Sequence, residues 1–322
     1  MTIRDREPQL IATHDGTFHA DEVVGVTVAM RLWPRARLLR TRDPRLLRAA
    51  DMCVDVGGEY RPEVGRFDHH QRGFDERRDT PGEGSGRLAS AGLVWRHFGA
   101  TYLRSVCSHF VDTDASSWLP EVADAVDRVF MRIVDALDCG ETLGPSSSSI
   151  STTIALLNPN WLESRNLTPA QLDELRQRRF AEAVEVTGRH LEGLVRQQLS
   201  GIMTRNMVLG ARVTHEGAVL MLPEGGMPWQ SVVMASMPAV RFVVHADGSD
   251  RFLVQGVPRN SMTRSLRQTL PETWAALEGE ALASTCGVND ALFCHRNLFL
   301  CGAASLTGAL AMANAACMAL SA

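Results

Sequence analysis

The 322-residue chain contains no lysine: all 33 of its Lys+Arg positions are arginine. Schiff-base chemistry, a lysine general base and the P-loop lysine that grips an ATP γ-phosphate are therefore excluded. Aromatic residues make up only 6%, with two tyrosines, so there is no evident platform for stacking nucleic-acid bases. A basic surplus is missing too. The formal charge is −4 and the pI about 6.2, unlike proteins that coat duplex DNA by neutralising phosphates. A nucleic-acid substrate would need a local arginine patch or metal ions. The seven cysteines are scattered and form no CxxC pair, and the first ten residues lack an apolar signal core. A reducing, intracellular setting is expected, the cytoplasm first, with nucleus or organelle left open. Residues 297–322 carry no charge, yet they are Ala-rich, and Leu306, Leu310, Ala313, Cys317 and Leu320 recur at helical spacing. A buried C-terminal helix is expected there rather than a membrane span.

What is present is ordinary for a globular protein, with 45% hydrophobic and 22% charged residues, and the length suits two domains. The first third alternates strand and helix. Strands are expected at 10–13, 36–41, 52–56 and up to Phe67. Helices are expected from Asp21 to Trp33, from Asp43-Pro44 to about Ala50, from Ser90 to a stop at Gly99, and from Pro120 to Leu137. Such alternation predicts a mostly parallel sheet covered on both faces. The charged, Gly-rich stretch from Glu76 to Gly86 reads as a mobile loop, and Gly144–Ser149 as a linker and hinge. Beyond it come a charged helix (about Thr168 to Leu199), strands near 207–214 and 218–222, a hairpin of 240–244 with 251–257, and a last strand at 291–294. The expected architecture is an α/β domain over 1–150 and a smaller α+β domain over 151–322.

Three polar clusters follow strands: His14, His19 and Asp21 after the first, Asp55 at the end of the third, and Asp68-His69-His70 after Phe67. Singly, each has a plain explanation. His14 could be a loop histidine, Asp21 a helix-start carboxylate and Asp55 a turn former. Together they converge on the carboxyl edge of one sheet, where open α/β folds bind ligands. A turn also needs no pair of imidazoles. Asp135 or Asp138 on the long helix is a fourth source, with Asp135 slightly favoured. Six such ligands suit two ions about 4 Å apart sharing a carboxylate. Imidazoles with carboxylates suit Mn²⁺, Fe²⁺, Zn²⁺ or Co²⁺ better than a Mg²⁺-only oxygen cage, and Mn²⁺ is the ion expected first, with Co²⁺ or Mg²⁺ as alternatives.

The segments Ile11-Ala-Thr-His14-Asp-Gly-Thr-Phe-His19-Ala-Asp21-Glu22, Val54-Asp55-Val-Gly-Gly58, Phe67-Asp68-His69-His70-Gln71-Arg72 and Ser90-Ala-Gly-Leu-Val-Trp-Arg-His97 resemble the Myg family of metal-dependent hydrolases. That family is related to the DHH phosphoesterase superfamily, and its eukaryotic members are assigned RNA exonuclease activity. The resemblance is strong over the first 140 residues and patchier beyond. It implies a DHH-like first domain with His14, His19, Asp21, Asp55 (bridging), His69 and Asp135 or Asp138 as metal ligands. It makes His70 the residue that meets the scissile phosphate and Asp68 the partner that orients His69. Ser90, Arg72, His295 and Arg296 are the candidate substrate contacts, with Arg264 and Arg267 as further arginines of the closing domain. One departure is evident: where the family carries a Gly-Gly-Asn-Lys-Thr-like loop, this chain has Leu300-Cys301-Gly302-Ala-Ala-Ser-Leu-Thr307. The implied function is two-metal phosphohydrolysis, a 3′–5′ exonuclease on RNA or short oligonucleotides. A hydrolase of dinucleotides or pyrophosphate, and a metal- or nucleotide-binding protein without catalysis, are the alternatives. No membrane partner is expected, and the sequence leaves a homo-oligomer open.

Overall fold

A computed structural model describes residues 7–79, 86–111, 117–141, 149–248, 250–261 and 265–319. Residues 80–85 of the expected loop, 144–148 of the expected linker, and Arg264 lie outside the described residues. Contacts group the chain into two compact units, 1–199 and 200–322.

In the first unit the order is β1 (Leu10–Thr13), α1 (Ala20–Leu32), β2 (Arg37–Arg40), α2 (Pro44–Ala49), β3 (Met52–Val54), β4 (Tyr60–Arg61) and β5 (Arg66–Phe67). The sheet runs β2-β1-β3-β5-β4; β2, β1, β3 and β5 are parallel, and β4 pairs antiparallel with β5. β1 and β3 are short, nearly unbroken apolar runs, as strands covered on both faces must be. α2 begins where the sequence places it: the Asp43 carboxylate accepts from the Arg45 amide at 2.8 Å, and Pro44 fills the first turn. The chain leaves β1 toward β2 on one side and returns to β3 on the other. This reversal opens a crevice beside the carboxyl end of β1.

Two helices depart from expectation. α3 (Ser90–Cys107) does not stop at Gly99. Gly99 is a packing position: a Cβ there would lie 2.7 Å from the Trp95 ring. The helix from Pro120 to Leu137 is three segments: α4 (Leu119–Val126), a π turn (Asp127–Met131) and α5 (Arg132–Asp138). α6 (Ser149–Leu157), α7 (Trp161–Ser164) and α8 (Pro169–Leu209) follow. Composition groups residues 151–199 with the second half, but they pack on the first unit. Asn158 exchanges hydrogen bonds with the Phe18 backbone at 3.0 and 2.8 Å, and the Arg40 guanidinium lies 4.5 Å from the Phe180 ring centre.

The second unit holds β6 (Arg212–Thr214), β7 (Val219–Met221), α9 (Gln230–Ser236), β8 (Phe242–Ala246), β9 (Phe252–Gly256), α10 (Gly279–Cys286), β10 (Ala291–Cys294), β11 (Leu300–Ala303) and α11 (Leu306–Met318). The sheet order is β10-β11-β9-β8-β7-β6, and only β7 and β8 pair in parallel, so this unit is α+β. Residues 207–209 extend α8 rather than starting a strand. β11 is a strand where the sequence suggests a loop. Cys301 and Ala303 are buried, and Ser305 caps α11 by accepting from the Gly308 amide at 2.9 Å. Arg267, expected to grip substrate, donates to the carbonyls of Val233, Met234, Met237 and Val240 and so closes the end of α9. All seven cysteines are free thiols. Among the described residues no helix is long and apolar enough to cross a membrane.

Candidate metal centre

The three polar clusters meet at the carboxyl ends of β1, β3 and β5, in a cleft of about 1300 Å³. β1 delivers His14, nearly buried, whose Nε2 lies 3.0 Å from Glu22 Oε1 and 3.5 Å from Asp55 Oδ2. α1 begins just beyond, placing exposed His19 at its start and buried Asp21 and Glu22 in its first turn. The Glu22 carboxylate also accepts from the His19 amide at 2.9 and 3.0 Å. Glu22 belongs to the quoted motif but is not among the expected site residues; its adjacency to Asp21 is the only signal for it in the sequence.

Asp55 directly follows β3 and adopts φ 56°. Left-handed backbone favours Asp and Asn among residues with a side chain. The turn continues through Gly57 and Gly58 at φ 103° and 69°, where glycine is needed. Asp55 Oδ1 accepts from Ser90 Oγ at 3.1 Å and lies 3.3 Å from His70 Nδ1 and 3.7 Å from His69 Nδ1.

After β5, Asp68 orients a different histidine from the one expected. Its Oδ1 lies 2.8 Å from His70 Nδ1 and accepts from the His70 amide at 3.0 Å, while Oδ2 accepts from the Gly58 amide at 2.6 Å. His69 turns inward instead. Its Nδ1 lies 3.1 Å from Ser90 Oγ and 3.6 Å from Asp21 Oδ2, and its Nε2 lies 3.2 Å from Asp138 Oδ2. The two imidazoles stack at 4.2 Å.

The two helix carboxylates divide: Asp138 faces the cleft, whereas Asp135, the one slightly favoured as a ligand, faces Arg78. Asp138 reaches His69 and lines the cleft. Asp135 is fully buried against Arg78, with Nη2 2.6 Å from Oδ2, and accepts from the Gly92 amide at 2.9 Å. Burial pushes Asp135 up to about 7 although Arg78 pulls the other way. Arg78, which also holds Asp127 at 2.9 Å, sits in the charged stretch that reads as a loop, so nothing in the sequence marks it out.

The Ser90 amide is not free for a phosphate. It donates to Asp21 Oδ2 at 2.9 Å, and the Ala91 amide donates to Oδ1 at 2.6 Å. The start of α3 is therefore satisfied by two carboxylates of the protein, Asp21 and Asp135. Arg72 is exposed and is not among the residues lining the cleft. His295 and Arg296 belong to the second unit, at the turn between β10 and β11, where His295 Nδ1 accepts from the Asn297 amide at 3.0 Å.

The electrostatics describe a site short of positive charge. Asp21 is raised well above the usual range, by burial first and then by Asp55, Asp138 and Asp135. Burial works against the charge on His14, but Asp55 and Glu22 outweigh it and lift the imidazole to about 10. Asp55 and Asp68 lift His70 to about 10 against a smaller effect of burial. Asp55 itself is lowered: burial opposes this, and hydrogen bonds with His14 and His70 prevail. Among the described residues three groups have donor atoms within 4.8 Å of one another: His14, His19 and Glu22; Asp21, His69 and Asp138; and Asp55, Asp68, His69 and His70. Buried carboxylates, imidazoles and an open cleft are the donor set that borderline divalent cations take, so the residues fit such ions.

The sequence model described as Uncharacterised protein family (UPF0160), MYG1_exonuc, matches residues 10–317. The MYG1 exonuclease of Mus musculus is 33% identical, the match covering 96% of this chain and 84% of the relative. The MYG1 protein of Saccharomyces cerevisiae is also 33% identical, over 95% of this chain and 94% of its own. Among solved structures, Thermus thermophilus RecJ in complex with Mn²⁺ covers 98% of this chain and 53% of its own at 17% identity, with a TM-score of 0.28, too low to carry an argument. Matched over nearly its whole length, the chain belongs to the MYG1 exonuclease family.

Proposed function

We propose that the protein is a metal-dependent exonuclease that removes nucleotides from RNA or short oligonucleotides in the 3′-to-5′ direction, using two divalent ions with Mn²⁺ preferred. One observation carries this reading: carboxylates and histidines that follow β1, β3 and β5 or lie on α1 and α5 converge at a single open cleft. The cleft is larger than pyrophosphate needs, which favours an extended substrate. Divalent ions bound there supply Lewis-acid activation of water and charge neutralisation at the phosphoryl group. The protein's own part is positioning. Asp55, the Asp21–His69–Asp138 group and the His14–Glu22 pair hold ligand atoms at fixed spacing. His70 is held at Nδ1 by Asp68 and Asp55, whose carboxylates favour its protonated form, and in this reading it is the side chain that donates to a phosphoryl or leaving oxygen.

The test is hydrolysis of end-labelled oligoribonucleotides by metal-stripped protein with Mn²⁺ restored. Stepwise mononucleotide release is expected, and the position of the label reads its direction. A chain that leaves RNA intact under Mn²⁺, Co²⁺ and Mg²⁺ alike would overturn the reading.

The carboxylate division gives a second check. Asp138→Asn is expected to weaken Mn²⁺ binding with little change in melting temperature. Asp135→Asn is expected to lower melting temperature first, because it removes the buried partner of Arg78. Calorimetric metal titration alongside thermal unfolding reads both, and equal metal loss with unchanged stability in the two variants would refute the division.

A further inference from the structure

The same cleft has a second wall. Besides the carboxylates and imidazoles it is lined by Arg42, Arg48, Arg61 and Arg66, with Glu59 beside Arg61 and with Pro44 and Leu47 lying between the first two arginines in the chain. These arginines come from the α2 segment and from the strands next to it. Arg66 stands two residues before Asp68, on the same face and about 6–7 Å upstream along the chain. Metal-binding wall and arginine wall therefore belong to one continuous groove within the first unit.

The arginines are not equivalent. Arg66 donates to the Leu47 and Ala50 carbonyls at 3.4 and 3.1 Å and so serves the end of α2. Arg61 is shared between Glu63 at 3.3 Å and Glu59 at 3.7 Å. Arg42 has one long contact, 3.5 Å to Asp15, and is 59% exposed. Arg48 is exposed and makes no ion pair among the described residues. Two guanidinium groups with most of their donors unspent thus face the groove. In a chain without lysine, they are the cations placed to meet a polyanion beside the metal centre.

We infer that Arg42 and Arg48 form a second phosphate subsite, holding a backbone phosphate of the single-stranded nucleic acid next to the one being cleaved. The inference rests on the exonuclease reading. A strand entering the groove meets carboxylates at one end, where cations must neutralise it, and guanidinium forks at the other, where protein alone suffices. Pro44 and Leu47 offer apolar contact to the intervening nucleotide. A substrate with one linkage cannot use the subsite, and a longer one can, so the arginine wall sets the preference for length.

The experiment uses the Mn²⁺-loaded full chain and a fluorescent octaribonucleotide with hydrolysis-resistant phosphorothioate linkages. Affinity is measured by anisotropy across a salt series. Removing one arginine–phosphate interaction with a single strand lowers the slope of log K against log salt by about 0.7. Arg48→Gln and Arg42→Gln are each expected to show that reduction together with a tenfold or greater weakening of affinity. The ratio of kcat/KM for an octaribonucleotide to that for a dinucleotide should fall by a similar factor. Arg189→Gln, on α8 and paired with Glu185, controls for net charge and should keep the wild-type slope. If wild type binds and cleaves RNA while Arg48→Gln and Arg42→Gln behave like Arg189→Gln, the subsite is wrong and the exonuclease reading stands. If wild type neither binds nor cleaves RNA, both fall.

Discussion

Asp55→Asn is expected to leave the fold standing and to abolish metal binding. Asn tolerates the left-handed backbone that Asp55 adopts at φ 56°, so the turn into Gly57 and Gly58 is kept. The amide oxygen can still accept from Ser90 Oγ. What disappears is the charge that faces His14, His69 and His70 together. The loss in Mn²⁺ affinity should exceed the roughly 10–100-fold that removing an outlying partner of a metal ligand costs. Metal per chain after dialysis, with circular dichroism for the fold, reads the result. A full Mn²⁺ complement in a folded Asp55→Asn protein would remove Asp55 from the centre.

Gly92→Ala is expected to damage stability and site at once. A Cβ at this position would lie 2.0 Å from Asp135 Oδ2, 2.6 Å from a Leu88 methyl and 2.8 Å from Asp135 Cγ. Overpacking alone costs roughly 1–3 kcal/mol. Here the atom displaced is a buried carboxylate, and parting it from Arg78 adds the cost of an uncompensated charge, roughly 3–5 kcal/mol for a broken buried pair. The first turn of α3 must shift, and with it the Ser90 and Ala91 amides that hold Asp21. We expect a loss of at least about 3 kcal/mol in the urea unfolding of this unit and a weakened metal site. Gly193→Ala on α8 is the control: its Cβ would meet only Arg196 Nη2 at 3.8 Å, so it should be neutral or slightly stabilising. Matching unfolding curves for the two variants would refute the role given to Asp135 beneath Gly92.

Much of the first unit is legible in the chain because local signals there agree with tertiary ones. The apolar runs of β1 and β3 and the Asp43-Pro44 start of α2 leave little freedom, and placing His14, Asp55 and His69 just beyond strand ends, with Asp21 in the helix that follows β1, follows from parallel topology. What escapes are matters of direction and partnership. Asp68 and His69 are adjacent in the chain, but the chain turns after β5 so that Asp68 accepts from the His70 amide and meets the His70 ring instead. Gly99 looks like a helix stop because propensity cannot see the Trp95 ring that needs its space. Asp135 and Asp138 lie on one helix three residues apart, and partners distant in sequence separate their roles: Arg78 and the Gly92 amide for Asp135, His69 for Asp138. β11 escapes because Leu-Cys-Gly-Ala is a short run whose strand character comes from its neighbours in the sheet.

The π turn at Asp127–Met131 makes the chain's length, more than its composition, the quantity that aims Asp138. A π turn holds one residue more than the helix around it requires. Each residue of an α-helix turns the chain by about 100°, so a chain one residue shorter there would keep every ligand type in the same order. It would nonetheless carry Asp135 off Arg78 and Asp138 off His69. Side chains of 127–131 that face water, such as Val129, can therefore vary freely, while a one-residue change in length cannot be absorbed. Counting residues between α4 and the final aspartate becomes a criterion for whether a similar chain retains this centre, independent of how many of its residues are identical.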